Sequence, residues 1–112
     1  MTVKPFLVDA SLYDLERPVA TIEEIRRYNH QRFEMEQLTA VVYESAEDGS
    51  CVGYKDITAD EFWVRGHFPE RPLMPGVVMC ETAAQLASYF ITKHSFFGDA
   101  VMGFAGLEEV KF

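Results

Sequence analysis

The sequence is poor in cysteine and in basic residues, and each shortage excludes a class of protein. Only Cys51 and Cys80 occur among 112 residues, so a disulfide framework is not expected. Cys80 lies in an apolar segment, where a small buried hydrophobic residue is expected. The 10 lysines and arginines are outnumbered by 18 aspartates and glutamates, giving a formal net charge of −8. This charge disfavours nucleic acid and anionic membrane surfaces as partners.

Long apolar runs are also absent. The longest, residues 77–91, is interrupted by Glu81 and Gln85 and falls short of the ~20 residues that a membrane-spanning helix needs. The opening residues contain no apolar run of signal-peptide length before acidic residues intervene. The length allows one hydrophobic core. We therefore expect a single cytoplasmic, reduced domain with no membrane association.

The first third of the chain predicts an arm followed by a short helix. Residues 1–20 show no periodicity and contain two prolines, so they are interpreted as an N-terminal arm. Thr21 followed by Glu24 fits a capping box, which predicts a helix over about 22–29. The folded domain is therefore expected to begin at Thr21.

The middle of the chain predicts an antiparallel hairpin. Residues 36–44 and 50–58 are rich in β-branched and aromatic side chains, as strands are. The Asp48-Gly49 pair between them is a typical turn signal. Near the end of the chain, residues 101–112 predict another strand.

A long helix is predicted over about 75–93. Its apolar residues spread around most of the circumference, which predicts burial on nearly every side by a curved sheet. Glu81, Gln85, Ser88 and Thr92 form one polar stripe at helical spacing. On spacing alone, this stripe is most simply the solvent side of the helix. A functional interpretation competes, because Glu81 is the only acid on the helix and follows a histidine-bearing loop.

That loop, GHFPERPLMPG, covers residues 66–76 and places a histidine among three prolines. Each proline fixes its own φ and keeps the preceding residue out of the helical region, so the loop is predicted to be stiff and extended. A stiff loop holds its side chains in place. His67 is therefore a candidate site residue, whereas His30 and His94 are interpreted as structural.

The motif residues resemble the signature of the hotdog-fold β-hydroxyacyl-[acyl carrier protein] dehydratases of FabZ type: Gly66-His67-Phe68-Pro69, Arg71-Pro72, Met74-Pro75-Gly76, then Glu81 and Gln85. The carboxylate follows the histidine by 14 residues. Weaker similarity to the same family covers residues 21–112. The resemblance implies an α+β hotdog fold in which a curved antiparallel sheet wraps a long central helix. It also implies at least a homodimer, whose sites combine the histidine of one subunit with the acid of the other.

The resemblance implies dehydration of a 3-hydroxyacyl thioester carried on acyl carrier protein. His67 is the expected base that removes the C2 proton, since imidazole titrates near neutrality. Glu81 is the expected acid that protonates the departing hydroxyl, although one residue could serve both transfers in turn. A glutamate here resembles the type that only eliminates water, whereas the bifunctional isomerising type has aspartate.

Three further residues are candidates for binding the substrate. The resemblance implies that Gly76 offers its backbone N–H to the thioester oxygen, with Val77 N–H adding to it, because a helix N-terminus carries free N–H groups. Because Gly76 has no Cβ, the substrate would also be able to approach the backbone closely. Crowding at the start of the helix is an alternative explanation for a small residue at this position. Gln85 would orient Glu81 or contact the substrate hydroxyl. No cofactor and no metal site are predicted.

Two features depart from the family pattern. After Arg32-Phe33 the family has a proline and an apolar run ending in Asp-Arg, but this chain reads EMEQLTAVV. The packing of the first strand is therefore expected to differ. The acidic carrier protein would also meet an acidic chain, so its attraction would depend on a local basic patch, with Arg65, Arg71 and Lys93 as candidates.

Two other functions compete with dehydration. The chain could be another hotdog-fold acyl thioester enzyme, such as a thioesterase or an enoyl-CoA hydratase, or a non-catalytic acyl-binding subunit completed by a partner chain. The intact motif weighs against both. The resemblance also leads us to expect more strands than 112 residues contain. We therefore expect the remaining strands to come from a missing segment or another chain, and the chain alone to be inactive.

Overall fold

The computed structural model describes residues 6–98 and 106–112. Its regular elements are helix α1 (Ile22–Arg26), strands β1 (Ala40–Ser45) and β2 (Ser50–Tyr54), and helix α2 (Gly76–Lys93). Their order and type agree with the sequence predictions for the short helix, the hairpin and the long helix. Two short 3-10 turns precede α1 and β1, at Ala10–Leu12 and Phe33–Met35.

The hairpin is antiparallel and forms the two-stranded sheet seen in the described residues. Ser45 pairs with Ser50 at the turn, and the register shifts at a bulge between Val41 and Tyr43. Gly49 has a φ of 66°, in the left-handed region that glycine adopts without steric cost. The Asp48-Gly49 turn signal therefore marks the turn correctly.

Helix α1 is shorter than predicted, and the capping box is wrong. The Thr21 hydroxyl makes no cap bond to the helix backbone; it donates to the Glu23 carboxylate at 2.9 Å. At the other end, the guanidinium of Arg32 donates to the carbonyl of Arg26 at 3.1 Å. Beyond Arg26 the backbone also tightens, because the N–H groups of Arg27 and Tyr28 bond to the carbonyls three residues before them, so the regular helix does not continue to residue 29.

Strand β1 begins four residues later than the predicted residue 36. The backbone N–H groups of Gln37 and Leu38 donate to Oε1 of Gln85 on α2, at 2.9 and 3.3 Å. These amides are therefore bound to a side chain and not to a neighbouring strand. β2 ends at Tyr54, short of residue 58, and two residues later the amide of Asp56 donates to the Thr39 hydroxyl and not to a neighbouring strand.

The core lies between α2 and the hairpin. A Cβ on Gly53 of β2 would lie 3.0 Å from the carbonyl of Ala40 and 3.1 Å from Cδ1 of Leu86. Glycine at this position therefore lets α2 approach the sheet closely. The buried cluster consists of Ala20, Ile25, Leu38, Val41, Tyr89 and Phe90.

The prediction that α2 is buried on nearly every side is wrong for this structure. The side chain of Val77 is 74% exposed, and Met79, Ala83 and Ala87 are also exposed. The physical reason is that a two-stranded hairpin covers only one face of a helix. Within residues 6–98 and 106–112, no helix combines the length and hydropathy that a bilayer crossing requires.

The predicted last strand is only partly within the described residues. Residues 101–105 lie outside them, and residues 106–112 are irregular. This segment makes no backbone hydrogen bond to either described strand. Instead, Leu107 and Phe112 approach the first half of α2.

A polar network joins β1 to the end of α2. The Tyr89 hydroxyl donates to Oε2 of Glu44 at 2.6 Å, and Lys93 Nζ donates to Oε1 of the same carboxylate. Burial alone would raise the pKa of Glu44, but the hydrogen bonds from Lys93 and Tyr89 outweigh it and lower that pKa. Burial, followed by the bond to Glu44, raises the pKa of Tyr89 to about 12.

Acid should therefore weaken this network. Because the pKa of Glu44 is lower in the folded protein than in the unfolded chain, its ionised carboxylate stabilises the fold above the unfolded pKa of ~4.3. This stabilisation is lost as the pH falls through the folded pKa. We expect Glu44→Gln to lower the free energy of unfolding by about 1–3 kcal/mol at pH 7, because it removes a charged acceptor. The difference from the unsubstituted protein should shrink below about pH 4.

Urea unfolding followed by fluorescence of Trp63 would measure this difference, because Trp63 is the only tryptophan and is buried. Glu47→Gln is the control, since Glu47 is exposed and forms no ion pair within the described residues. An effect of Glu44→Gln that stayed constant from pH 7 to pH 3 would contradict the assignment.

Candidate active site

The motif loop folds back on itself and fixes the backbone of His67. The N–H of His67 donates to the carbonyl of Trp63 at 2.7 Å, and the N–H of Leu73 donates to the carbonyl of His67 at 2.8 Å. Between these bonds, the N–H of Arg71 donates to the carbonyl of Phe68 at 2.9 Å. The backbone on both sides of the histidine is therefore held.

The imidazole of His67 is held in one tautomer. Its Nδ1 lies 2.9 Å from the carbonyl oxygen of Leu73. A carbonyl oxygen only accepts hydrogen bonds, so Nδ1 carries the hydrogen in the neutral ring. The ring also stacks on Phe68, with centroids 4.5 Å apart. The lone pair of Nε2 is therefore available to accept a proton.

The N-terminus of α2 presents two free backbone N–H groups. Pro75 precedes the helix, and no side chain caps it. The N–H groups of Val78 and Met79 bond to the carbonyl of Pro75, whereas those of Gly76 and Val77 have no acceptor in the described part of the chain. Free N–H groups at the positive end of a helix suit an oxygen that gains negative charge.

The space beside Gly76 is occupied. A Cβ built on Gly76 would lie 2.6–2.7 Å from ring atoms of Phe112. The space beside Gly76 is therefore filled by a residue of the same chain, and the role of Gly76 in binding the substrate stays a prediction. The alternative, a small residue at a crowded helix start, is the one that the contact supports.

Glu81 lies one turn further along α2 and lines a cavity of about 230 Å³. The side chains of Val77, Cys80, Ala84 and Leu107 complete the lining, so the carboxyl group faces a mostly apolar space. Gln85 Nε2 donates to Oε1 of Glu81 at 3.0 Å. The other oxygen, Oε2, accepts no hydrogen bond from the described residues.

Gln85 is buried, with only 3% of its surface exposed. The interpretation of the polar stripe as the solvent side of the helix is therefore wrong at Gln85. Its Nε2 donates to Glu81 and to the carbonyl of Met35 at 2.7 Å, and its Oε1 accepts from Gln37 and Leu38. A polar side chain is needed at Gln85 because it binds the backbone that leads into β1.

Sequence reasoning missed one residue of this network, Asn29. It is 5% exposed, and its Nδ2 donates to the backbone carbonyl of Gln85 at 2.9 Å. The only signal available was the departure of the neighbouring segment from the family pattern.

His67 and Glu81 do not meet within one chain. The cavity beside Glu81 is not lined by His67, and a separate cavity beside the motif loop, lined by Phe68, Arg71, Pro72 and Leu73, does not include Glu81. No hydrogen bond or ion pair joins the two side chains. His67 is bonded within the motif loop, whereas Glu81 lies among residues of α2 and Leu107.

Apolar space lies next to the motif loop. A cavity of about 500 Å³ is lined mainly by Ile57, Ala59, Trp63, Val64, Pro72, Leu73, Met74 and Met79. Both cysteines of the chain are free thiols. No cluster of three or more His, Cys, Asp or Glu side chains is placed to hold a metal ion in the described ranges.

The sequence of the chain is similar to those of known proteins. A family model described as a FabA-like domain matches residues 29–112. The 3-hydroxyacyl-[acyl-carrier-protein] dehydratase FabZ of Clostridium botulinum strain Hall is 37% identical over 91 residues, which are 81% of this chain and 62% of the relative. The FabZ of Clostridium novyi is 40% identical over 70 residues, 62% of this chain and 49% of the relative.

The chain thus spans about three fifths of the length of the C. botulinum relative. The long helix and the two-stranded antiparallel sheet agree with the α+β hotdog fold that the motif implied. The chain belongs to the FabA-like domain family.

Proposed function

We propose that the protein dehydrates 3-hydroxyacyl-[acyl carrier protein] to trans-2-enoyl-[acyl carrier protein] in fatty acid elongation, as a hydro-lyase. The observation that carries the proposal is the hydrogen bond from His67 Nδ1 to the carbonyl of Leu73, which leaves Nε2 free as a base. The names of the FabZ relatives, 3-hydroxyacyl-[acyl-carrier-protein] dehydratases, support it.

The elimination needs a base, an acid and a site for the thioester oxygen. Nε2 of His67 removes the C2 proton, and negative charge develops on the thioester oxygen facing the free N–H groups of Gly76 and Val77. The C3–O bond then breaks as Glu81 protonates the leaving hydroxyl, which departs as water. Because Gln85 donates to Oε1 of Glu81, the transferred proton is assigned to Oε2.

The site is proposed to form between two subunits of a homodimer. Within one chain, the cavity that Glu81 lines does not include His67, whose imidazole bonds to the carbonyl of Leu73 on the motif loop. The exposed apolar face of α2, including Val77 and Met79, provides surface for a second subunit. Each site would then combine His67 of one subunit with Glu81 of the other.

Arg65 and Arg71 are proposed to attract the acidic carrier protein. Both are exposed and flank His67. The expectation that Lys93 joins them is wrong, because Glu44 binds it. The other described cations, except Lys111, are held by carboxylates or carbonyls: Arg17, Arg26, Arg27, Arg32 and Lys55. Arg65 and Arg71 therefore lie beside the motif histidine without a carboxylate partner among the described residues.

This proposal predicts a charge-dependent preference for the carrier. We expect Arg65→Glu/Arg71→Glu to raise KM for a 3-hydroxyacyl carrier protein by about 10-fold or more, because like charges would then meet at the interface. A 3-hydroxyacyl N-acetylcysteamine thioester should show a much smaller change, since it lacks the carrier. Absorbance of the conjugated enoyl thioester measures both reactions.

Arg17→Glu is the matched control, because Arg17 is exposed and lies outside the motif loop. Equal losses with both substrates would contradict carrier docking at these arginines. Release of free thiol without enoyl product would contradict dehydration and favour a thioesterase.

The acyl chain and the location of the reaction complete the proposal. The apolar cavity beside Leu73 and Met74 offers room for an alkyl chain next to the loop that holds the base. Free Cys51 and Cys80 agree with a reducing compartment, and we assign the reaction to the cytoplasm.

A further inference from the structure

The proposed acid is oriented by a part of the chain that lies outside the motif. Glu81 and Gln85 are on α2, but the groups that hold Gln85 belong to residues 29–38. This is the region where the sequence departs from the family pattern after Arg32-Phe33. The inference below depends on the proposed role of Glu81.

The side chain of Gln85 has no spare hydrogen-bonding capacity. Both hydrogens of Nε2 are used, on Glu81 and on the carbonyl of Met35. Both lone pairs of Oε1 are used, by the N–H groups of Gln37 and Leu38. Turning the amide over would place Oε1 against two acceptors, so only one orientation satisfies the network. The donor that faces Glu81 is therefore fixed in direction.

The backbone of Gln85 is held as well, by Asn29. The Nδ2 group of Asn29 donates to the carbonyl of Gln85 at 2.9 Å. The backbone of Asn29 is itself fixed, because its N–H donates to the carbonyl of Ile25 and its carbonyl accepts from Arg32 Nη1, both at 2.9 Å. The turn that follows α1 is thus tied directly to the residue of α2 that orients the acid.

The direction of this amide is also determined. Reversing it would place Oδ1 of Asn29 against the carbonyl of Gln85, which is repulsive. In the observed orientation Oδ1 is buried and has no partner among the described residues. An unpaired buried oxygen costs free energy. Of the two polar atoms of the Asn29 side chain, only the Nδ2 donor is paired with a described residue.

We propose that Asn29 is a positioning residue for the dehydration: by holding the Gln85 backbone, it keeps the Gln85 amide aligned with Glu81. Asn29 lines neither the cavity beside Glu81 nor those beside the motif loop, so it is not placed to touch the substrate. Misalignment of a catalytic group by about 1 Å is enough to slow a reaction by up to about 100-fold. The loss should fall on kcat, because Asn29 does not contact bound substrate.

The test compares Asn29→Leu with Asn29→Asp. Leucine has a similar volume and no donor, so we expect kcat to fall by about 10-fold while KM changes by less than about 2-fold. A buried aspartic acid regains a donor only when protonated, and burial favours its neutral form. The kcat of Asn29→Asp, relative to the unsubstituted protein, should therefore recover as the pH is lowered, whereas that of Asn29→Leu should not.

Tyr89→Phe is the matched control. It removes a buried hydrogen bond one turn further along α2 and leaves the contacts of Gln85 in place. It should lower the thermal stability while leaving kcat unchanged. A loss of stability in Asn29→Leu with unchanged kcat, as expected for the control, would overturn the proposal.

Amide hydrogen exchange gives a readout that does not depend on activity. The N–H groups of Gln37 and Leu38 report on Oε1 of Gln85, so both should exchange faster in Asn29→Leu than in Tyr89→Phe. If the unsubstituted protein did not dehydrate the substrate, the proposed function would fail, but exchange would still decide whether Asn29 holds Gln85. Unchanged protection of both amides would overturn the inference.

Discussion

Replacing His67 by alanine should lower kcat/KM for 3-hydroxyacyl thioesters by at least ~100-fold, the low end of what a positioned acid or base contributes. The reason is that Nε2 of His67 is the group assigned to remove the C2 proton. Its tautomer depends on the 2.9 Å contact between Nδ1 and Leu73. Enoyl thioester absorbance measures the loss.

A second variant separates chemistry from loop structure. His67→Asn keeps an N–H group that can donate to the Leu73 carbonyl, but it has no basic nitrogen. We expect it to lose as much activity as His67→Ala. His30→Ala is the control, since His30 is exposed and outside the motif. Near-full turnover by either His67 variant would exclude this residue as the base.

The second large effect is expected at Glu81. Glu81→Gln preserves the shape of the side chain and an oxygen that can accept from Gln85, but it removes the proton that the acid donates. Activity should again fall by at least ~100-fold. Glu70→Gln is a matched control, because Glu70 is an exposed carboxylate of the motif loop. If Glu81→Gln behaved like this control, another group would have to be the acid.

Mixing the two inactive variants tests how the site is assembled. If His67 of one subunit works with Glu81 of another, exchange of subunits between His67→Ala and Glu81→Gln creates some sites with both groups intact. We expect part of the activity to return. Its absence, with subunit exchange demonstrated independently, would mean that both groups act from the same chain.

The sequence predicted those parts of the fold that depend on local signals. The Asp48-Gly49 turn and its flanking β-branched residues predicted the hairpin, and the last proline of the motif predicted the start of α2 to within one residue. The motif predicted the family. These features are set by neighbouring residues, so the sequence alone was sufficient.

Features that depend on distant contacts were not predicted. Strand β1 starts late because the amides of Gln37 and Leu38 bind Gln85, which is 48 and 47 residues away. Lys93 is not free for docking because Glu44, 49 residues away, binds it. Periodicity shows which side of a helix is polar, but not which polar atoms meet there. Asn29 was missed because its partner, the carbonyl of Gln85, is 56 residues away.

The most direct test of the dehydratase proposal is mass analysis of the acyl thioester after incubation with the full-length protein. The account predicts that a 3-hydroxyacyl carrier protein loses one molecule of water while its thioester stays intact, and that His67→Ala abolishes this loss. Hydrolysis to the free hydroxy acid, or equal water loss with His67→Ala, would contradict it.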